Sequence, residues 1–337
     1  MRIERKLLKK SNLILGIESS CDDTSVAVVK DGKEVLSNVI SSQDKIHGEY
    51  GGVFPELAAR EHIKNILPVY NEALNKANVS LDDIDHIAVT YGPGLIGSLL
   101  VGLSFAKGLA LSQGLKLIPV HHIEGHIYSA FIENNVTLPA IALIVSGGHT
   151  SLIYCDENHN FKEVGSTLDD AVGETYDKVA RMLDLGFPGG PMVDRLAQEG
   201  RDDLFNINSS VKGLDFSFSG FKTYMYNYIS KNKDLKKEDV CASFQKSVVK
   251  VLMKKLRQSL ESHNCRSVIL GGGVAANSLL RKELSLLEEE GMKIYMPSKK
   301  LCLDNAAMIA AAGYQYMKMG KTILNKRAIS RIKVGNN

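Results

Sequence analysis

The sequence contains no Cys-x-x-Cys pair, no long apolar run and little net charge, and each absence removes a class of protein. Its five cysteines (Cys21, Cys155, Cys241, Cys265, Cys302) are odd in number and widely scattered. That excludes a disulfide framework and a thiolate zinc cluster, and it points to reduced thiols in a cytoplasmic protein. No apolar run reaches the roughly 20 residues that a membrane-spanning helix needs. The basic start meets only Leu13-Ile14-Leu15 before Gly16 and Glu18, too little for a secretion signal. A net charge of +3 is too small to imply a polyanionic partner by itself. Its distribution is uneven, however. Residues 1–10 carry five basic groups against Glu4, and 318–333 carry six with no acid between them. Such ends read first as solvated tails, and secondly as segments able to lean on a phosphate backbone.

What is present fits a soluble α/β protein of about two domains with a large core: 337 residues, 44% hydrophobic and 23% charged. Leu13–Val29 reads as strand, polar turn (Glu18 to Thr24), strand. Such a turn can hold phosphate or its metal through backbone N–H and side-chain oxygens, or can be a simple hairpin. Ala140–Tyr154 repeats the pattern around Ser146-Gly147-Gly148-His149-Thr150. Two such units at a period too long for a solenoid suggest a duplicated α/β domain with a cleft between its halves. A helix is expected over Pro55–Ala77, with Leu57, Ile63, Ile66, Leu67 and Leu74 on its apolar face and a kink at Pro68. Tyr91-Gly92-Pro93-Gly94-Leu95-Ile96-Gly97 follows a strand and opens a helix, so it matches a dinucleotide fingerprint literally. The acid that fingerprint needs at the end of the next strand is missing, because Lys116–Val120 ends in two histidines. These glycines instead suit close packing and an anion-facing helix N-terminus.

His122 and His126 are an i, i+4 pair, which on a helix puts both imidazoles on one face about 5–6 Å apart at Cβ. Two such rings can close on one metal ion at the roughly 2.0–2.1 Å that imidazole prefers, with a third ligand from elsewhere. A plain surface or core pair would look the same. Further on, Asp170, Glu174 and Asp177 share a stripe of the expected helix Leu168–Leu183, a pattern typical of a solvated face. Gly186–Pro191 is a loop open to close approach by a ligand, with Asp194 one turn into the next helix. Phe216 and Phe218 would share one face of a strand and enter the core, with base stacking the lesser alternative. Gly271-Gly272-Gly273 ends a strand before a helix and suits an adenosine or phosphate. Asp304 reads as the N-cap of the last helix, or as an acid at a strand–helix junction able to supply the third ligand.

Taken together, Gly16–Thr24, the Gly-Pro-Gly turn, His121–His126, Val145–Thr150, Phe187–Pro191, Asp215–Thr223, Gly271–Asn277 and Cys302–Asn305 resemble the TsaD family. These are the bacterial tRNA threonylcarbamoyladenosine transferases, once labelled sialoglycoproteases. The motifs run in order over nearly all of 13–320. The resemblance implies a two-lobed ASKHA fold, as in actin and the sugar kinases. Its lobes would be 13–134 and 135–304, with the last helix (about 305–320) free to return to the first, and with basic tails at 1–12 and 325–337. It implies transfer of the threonylcarbamoyl group of threonylcarbamoyl-AMP to N6 of adenosine 37, in tRNAs reading codons that begin with A, releasing AMP. His122, His126 and Asp304 would be metal ligands, for Fe2+ or alternatively Zn2+. Ile144, Val145, Ser146, Gly147, Gly148, Asp177, Gly190, Asp194 and Asn277 would line the adenylate site. Archaeal and eukaryotic relatives are expected to carry tyrosine where Ile144 stands. The implied partners are tRNA, a TsaB-like paralogue and a TsaE-like P-loop ATPase, with no membrane.

The mixed anhydride is already activated, so no protein nucleophile is required. Positioning should carry much of the rate, with Glu18 or Asp23 as a candidate proton acceptor. A metalloprotease would need His-Glu-x-x-His, whereas Glu124 stands two residues after His122 and turns away from the ion. An ATPase or phosphotransferase of the same fold would hold Mg2+ through oxygen ligands, not imidazole. A non-catalytic scaffold would have no use for such a site.

Overall fold

The repeated strand–turn–strand pattern folds into two sheets of one topology. The computed structural model describes residues 11–232, 234–322 and 326–335. Of the two expected basic tails, therefore, 1–10, 325 and 336–337 lie outside the described residues. In chain order the first half forms β1 (Leu13–Glu18), β2 (Thr24–Lys30), β3 (Glu34–Ser41), α1 (Pro55–Ala77), β4 (His86–Gly92), α2 (Ile96–Gln113), β5 (Lys116–His121) and α3 (His122–Glu133). There follow β6 (Ala140–Val145), β7 (Thr150–Cys155), β8 (Phe161–Ser166), α4 (Val172–Met182), α5 (Gly189–Ala197), α6 (Ser219–Lys231) and α7 (Lys237–Ser262). The chain then makes β9 (Ser267–Gly271), α8 (Ser278–Glu289), β10 (Lys293–Tyr295) and α9 (Ala306–Lys318).

One sheet has the order β3-β2-β1-β4-β5 and the other β10-β9-β6-β7-β8. In each, three strands meander antiparallel and two more join in parallel on the far side of the first. Thus β6 repeats β1, β9 repeats β4 and β10 repeats β5. The central strands β1 and β6 are buried along their whole length, which is why they read as continuous apolar runs. The edge strand β3 alternates between covered and open residues instead.

The chain divides into two compact units: Met1–Gln43, Val53–Glu133 and Asp304–Lys333 make the first, and Asp44–Gly52, Asn134–Leu303 and Val334–Asn337 the second. In the first unit the alanine-rich α9 returns from the far end of the chain and lies against β1. A Cβ on Gly16 would come 2.2 Å from the Ala306 carbonyl oxygen, and one on Gly313 would come 2.5 Å from Ala88 Cβ. Glycine in the strand and alanine in the helix are what permit that approach. The Ser25 hydroxyl accepts from Ala306 N–H at 2.9 Å and Asn38 Oδ1 from Ala307 N–H at 3.3 Å. Two otherwise orphaned N–H groups of the helix start are thereby satisfied by strand side chains.

Several local expectations are corrected. α1 runs on through Pro68, but only part of its expected apolar face is buried: Ile66 and Leu74 are, whereas Ile63 and Leu67 are 65% and 54% exposed. The helix buries Ala58, His62, Val69, Tyr70 and Ala73 beside Ile66 and Leu74, so the covered stripe is rotated away from Ile63 and Leu67. α2 is long and apolar enough, by composition alone, to cross a membrane. It packs one face on α1 and β4 and leaves Ile96 and Leu100 half exposed on the other. Phe216 and Phe218 are fully buried, but Phe216 makes only a single bridge, to Thr167, and the segment is not a strand. Asp169 holds that segment, accepting from Phe218 N–H at 2.8 Å and the Ser217 hydroxyl at 2.5 Å. Asp170 precedes α4 and so leaves the expected acidic stripe. In the Gly-Pro-Gly turn two N–H groups that precede α2 are taken within the protein. Gly94 N–H donates to the Ser330 carbonyl (3.2 Å) and Leu95 N–H to the Ser20 carbonyl (2.8 Å).

Candidate functional site

β5 passes without a loop into α3, so His122 opens the helix and His126 follows one turn later. The rings lie 4.7 Å apart at 78°. Gly125 sits between them, and a Cβ there would come within 2.7 Å of Ile309 Cδ1, so it lets α9 settle against α3. That contact brings in Asp304, the residue two before α9. Its Oδ1 is 3.1 Å from His126 Nε2 and 3.7 Å from His122 Nε2.

The N-cap role open to Asp304 falls to its neighbour: Asn305 Oδ1 accepts from Met308 N–H at 3.1 Å. Asp304 is left facing the imidazoles. The three donor atoms lie within 4.8 Å of one another. Tetrahedral ligands at about 2.1 Å from an ion are about 3.4 Å apart, a value that the two measured separations bracket. His126 is fully buried, and neither of its ring nitrogens makes a hydrogen bond. A buried imidazole left so is costly unless something else takes its lone pair. The donor set of two nitrogens and one carboxylate oxygen suits a first-row divalent ion such as Fe2+ or Zn2+.

Behind His122 stands Glu18, at the end of β1 and fully buried. Glu18 Oε1 accepts from Ser20 N–H (2.5 Å), and Oε2 accepts from the Thr90 hydroxyl (2.5 Å) and lies 3.2 Å from His122 Nδ1. The Ser20 hydroxyl is 3.1 Å from the same Nδ1. Burial alone would raise the Glu18 carboxyl, but the facing His122 outweighs it and holds the group below its ordinary value. Burial disfavours a charged His122, yet Asp304 and Glu18 together push it up to about 9. The proton-acceptor role expected of Glu18 therefore does not fit. Both of its oxygens are engaged within the protein, and what it can do is hold His122 with Nδ1 protonated and Nε2 turned toward the donor cluster. Asp23, the other candidate, lies half-buried next to β2. Burial lifts the Cys21 thiol well above its usual range, and Asp22, Asp304 and Asp23 add to the effect, so this turn lies within electrostatic reach of the cluster. Glu124 is buried and accepts a hydrogen bond from the Tyr316 hydroxyl, so it is committed elsewhere.

The residues expected at the adenylate all lie in the second unit: Ile144–Gly148 and Asn277 at or beyond the C-terminal ends of β6 and β9, where open α/β sheets bind ligands, Asp177 on α4, and Gly190 and Asp194 on α5. Ile144 and Val145 have fully buried side chains, so backbone is what they can present. The turn that follows is closed by Ser146 N–H donating to the His149 carbonyl (2.8 Å) and His149 N–H to the Ser146 hydroxyl (3.1 Å). Gly147 and Gly148 are exposed, with open space where a Cβ would stand. The turn abuts the start of α4, for a Cβ on Gly173 would meet the Ser146 carbonyl at 2.6 Å. Gly272 (φ +90°) reaches the same place, where a Cβ would be 2.3 Å from the Val145 carbonyl. Asn277 caps α8 through Leu280 N–H (2.9 Å) and donates to Gln245 Oε1 (2.7 Å). Gln245 in turn donates to Asp194 (3.1 Å), which also accepts from Ser278 N–H and hydroxyl at 3.0 and 2.7 Å. Asp177 accepts from Gly189 N–H (2.7 Å) at the start of α5, beside Gly190, whose missing side chain leaves open space.

Sequence reasoning missed Thr90, Ser20 and Gln245. Ser20 carried a signal as part of the polar turn Glu18–Thr24, and Gln245 as a polar residue between Phe244 and Val248 on the buried face of α7.

Comparison with known proteins follows the same lines. Residues 34–311 match the family model described as TsaD, tRNA N6-adenosine threonylcarbamoyltransferase. A protein of that name from Fusobacterium nucleatum is 57% identical over 315 residues, 92% of each chain. Another from Staphylococcus haemolyticus is 50% identical over 322 residues, 94% of each. Among solved structures, Acidaminococcus fermentans (R)-2-hydroxyglutaryl-CoA dehydratase component A aligns with a TM-score of 0.55 at 18% identity, over 91% of this chain and 99% of that one. T. kodakarensis HypF aligns with a TM-score of 0.63 at 14% identity, over 92% of this chain and 48% of that one. At those identities the likeness is one of fold, the duplicated ASKHA construction.

Proposed function

This chain belongs to the TsaD family of tRNA N6-adenosine threonylcarbamoyltransferases, and on that premise we propose how its residues perform the transfer. The threonylcarbamoyl group passes from threonylcarbamoyl-AMP to N6 of adenosine 37 in tRNAs reading codons that begin with A, and AMP leaves. His122, His126 and Asp304 hold one ion, Fe2+ in our reading with Zn2+ as the alternative. An ion held there would supply Lewis acidity toward the carbonyl of the threonylcarbamoyl group. Glu18, with Ser20, orients His122 and fixes its tautomer. The carboxylate at Asp23 is the remaining candidate to take the proton from N6. The exposed backbone of Gly147 and Gly148, with Gly190, accommodates the adenylate phosphate at close range. Asp194 and Asn277, held through Gln245, define the nucleoside end, and Asp177 keeps α5 in place beside it. The N–H proton of the amine and the AMP leaving group account for both ends of the exchange, so no covalent protein intermediate is needed.

The observation that carries this reading is the facing of His126 Nε2 and Asp304 Oδ1 at 3.1 Å without a hydrogen bond on that imidazole. A protease reading is disfavoured because Glu124 is bonded to Tyr316. Partners of the TsaB and TsaE kinds are part of the proposal. Ile63 and Leu67 on α1, with Ile96 and Leu100 on the adjoining α2, leave apolar stripes open to a protein partner. A cytoplasmic location accords with the tRNA substrate. The test is to supply threonylcarbamoyl-AMP and tRNA, with and without the helper proteins, and to read modified adenosine by mass spectrometry. His126→Ala is expected to lose both metal and modification. Full metal content and full activity in that variant would refute the site.

A further inference from the structure

The described stretch 326–335 crosses the end of the first unit's sheet without helix or strand, yet it is tied down repeatedly. Lys107 Nζ donates to the Lys326 carbonyl at 2.7 Å. Ile329 N–H donates to the Tyr91 carbonyl at 2.9 Å, and Gly94 N–H to the Ser330 carbonyl at 3.2 Å. The Ile332 carbonyl lies 3.3 Å from His121 Nε2. A Cβ on Gly92 would come 2.2 Å from the Ile329 carbonyl oxygen, so the segment rests directly on the Gly-Pro-Gly turn. Lys326 Nζ sits 4.5 Å over the Tyr91 ring.

Along this strap Lys326, Arg327, Arg331 and Lys333 follow one another with no acid between them. Arg327, Arg331 and Lys333 are exposed, and none of the three forms an ion pair among the described residues. The exposed Lys246 of α7, by contrast, has Asp202 at 2.9 Å. Unneutralised cations on a tethered backbone set up a positive field that a solvated, paired lysine does not. The anchor points are the ends of β4 and β5, and the residue after His121 is His122. A second route leads to the same place: Leu95 N–H bonds the Ser20 carbonyl, and the Ser20 hydroxyl is 3.1 Å from His122 Nδ1.

We propose that Lys326–Lys333 is a docking surface for the sugar–phosphate backbone of the tRNA, with Arg327, Arg331 and Lys333 each engaging a phosphate. The proposal rests on the tRNA reading given above and assigns it a face of the protein. The six steps from Arg327 to Lys333 span at most about 20 Å, long enough to lie along more than one phosphate of a nucleic-acid backbone. The strap therefore matches a short run of phosphates. Such contacts set register and orientation and carry no base readout, which suits an enzyme that must place one adenosine against a fixed site.

The test uses the full, metal-loaded chain and unmodified tRNA. Binding is followed by fluorescence anisotropy from about 0.05 to 0.4 M salt, the range over which phosphate contacts register. The triple variant Arg327→Gln/Arg331→Gln/Lys333→Gln is compared with Lys246→Gln/Lys250→Gln/Lys254→Gln, which removes the same charge from α7. The strap variant is expected to bind roughly ten- to a hundred-fold more weakly at 0.1 M salt and to lose about 2 from its log–log salt slope. The α7 variant should stay close to wild type, and metal content should be unchanged in both. An unaltered slope in the strap variant overturns the proposal, as does an equal loss in the α7 variant, which would reduce the effect to net charge. If the wild-type chain shows no salt-dependent affinity for tRNA, the docking surface falls as well. The reading of the metal site then stands or falls separately, on metal content and on consumption of threonylcarbamoyl-AMP.

Discussion

Replacing Glu18 by glutamine tests the part assigned to the most deeply buried carboxylate of the site. The change is nearly isosteric, so the shell around it has no cavity to fill. What it alters is the partner of His122 Nδ1, now 3.2 Å from a carboxylate oxygen. Oε1 of the amide can still accept from Ser20 N–H, which places the NH2 group where Oε2 met Thr90 and His122. An NH2 group facing Nδ1 favours the tautomer with that nitrogen unprotonated, which puts the proton on Nε2, the atom turned toward Asp304. Losing an outer-shell carboxylate of this kind costs about 10- to 100-fold in metal affinity, or roughly 1.4–2.7 kcal/mol. The assay is competition of the metal-stripped protein with a chromophoric chelator for Zn2+ at fixed pH, beside a thermal melt to confirm folding. Ser20→Ala, which removes only the weaker 3.1 Å contact, should lose less. Wild-type affinity in a folded Glu18→Gln protein would refute the orienting role.

Four further outcomes are expected. In the metal-free protein His122 is raised from 6.5 to about 9, so its contribution is present below pH 6.5 and disappears as pH rises through 9. Denaturant titrations should show about 3 kcal/mol lost across that window, and metal affinity rising over the same window as the displaced proton becomes easier to remove. Asp304→Asn should lose most bound metal with little change in melting, whereas Asn305→Ala should cost about 1 kcal/mol through the lost cap of α9 and retain metal; elemental analysis and melting separate the two. Gly16→Ala drives a Cβ into the Ala306 backbone carbonyl, so it should destabilise by about 1–3 kcal/mol and lower metal content by shifting Asp304. Gln245→Leu should weaken AMP binding, read by calorimetry, while leaving metal content intact, because it disconnects Asp194 from Asn277 in the second unit.

Much of this was legible from local pattern. The two strand–turn–strand units, the helix from Pro55 to Ala77 and the His122–His126 pair follow from periodicities that act over a few residues. The errors arose where a periodicity leaves open which face is covered. Ile63 and Leu67 carry apolar side chains at helical spacing, yet α1 buries the stripe that holds Ala58, Ile66, Val69, Tyr70 and Ala73. Phe216 and Phe218 alternate like a strand, but the backbone there is claimed by Asp169.

The sequence by itself determined that two imidazoles would share one helical face, that a polar turn and a glycine turn would each join two apolar strands, and that a basic segment would follow the last helix. These are consequences of covalent spacing and side-chain type. Only the tertiary structure decided what those features meet. Glu18 lies 104 residues before His122, and Asp304 reaches the histidines because α9 packs against β1 and α3 where Gly16, Gly313 and Gly125 leave room. Whether Asp304 caps α9 or faces the histidines turned on one hydrogen bond, from Met308 N–H to Asn305 and not to Asp304. That both oxygens of Glu18 are engaged by Ser20, Thr90 and His122 is likewise a product of packing. Choices of that kind depend on which donors and acceptors remain unsatisfied after packing, and packing joins residues that the chain keeps far apart.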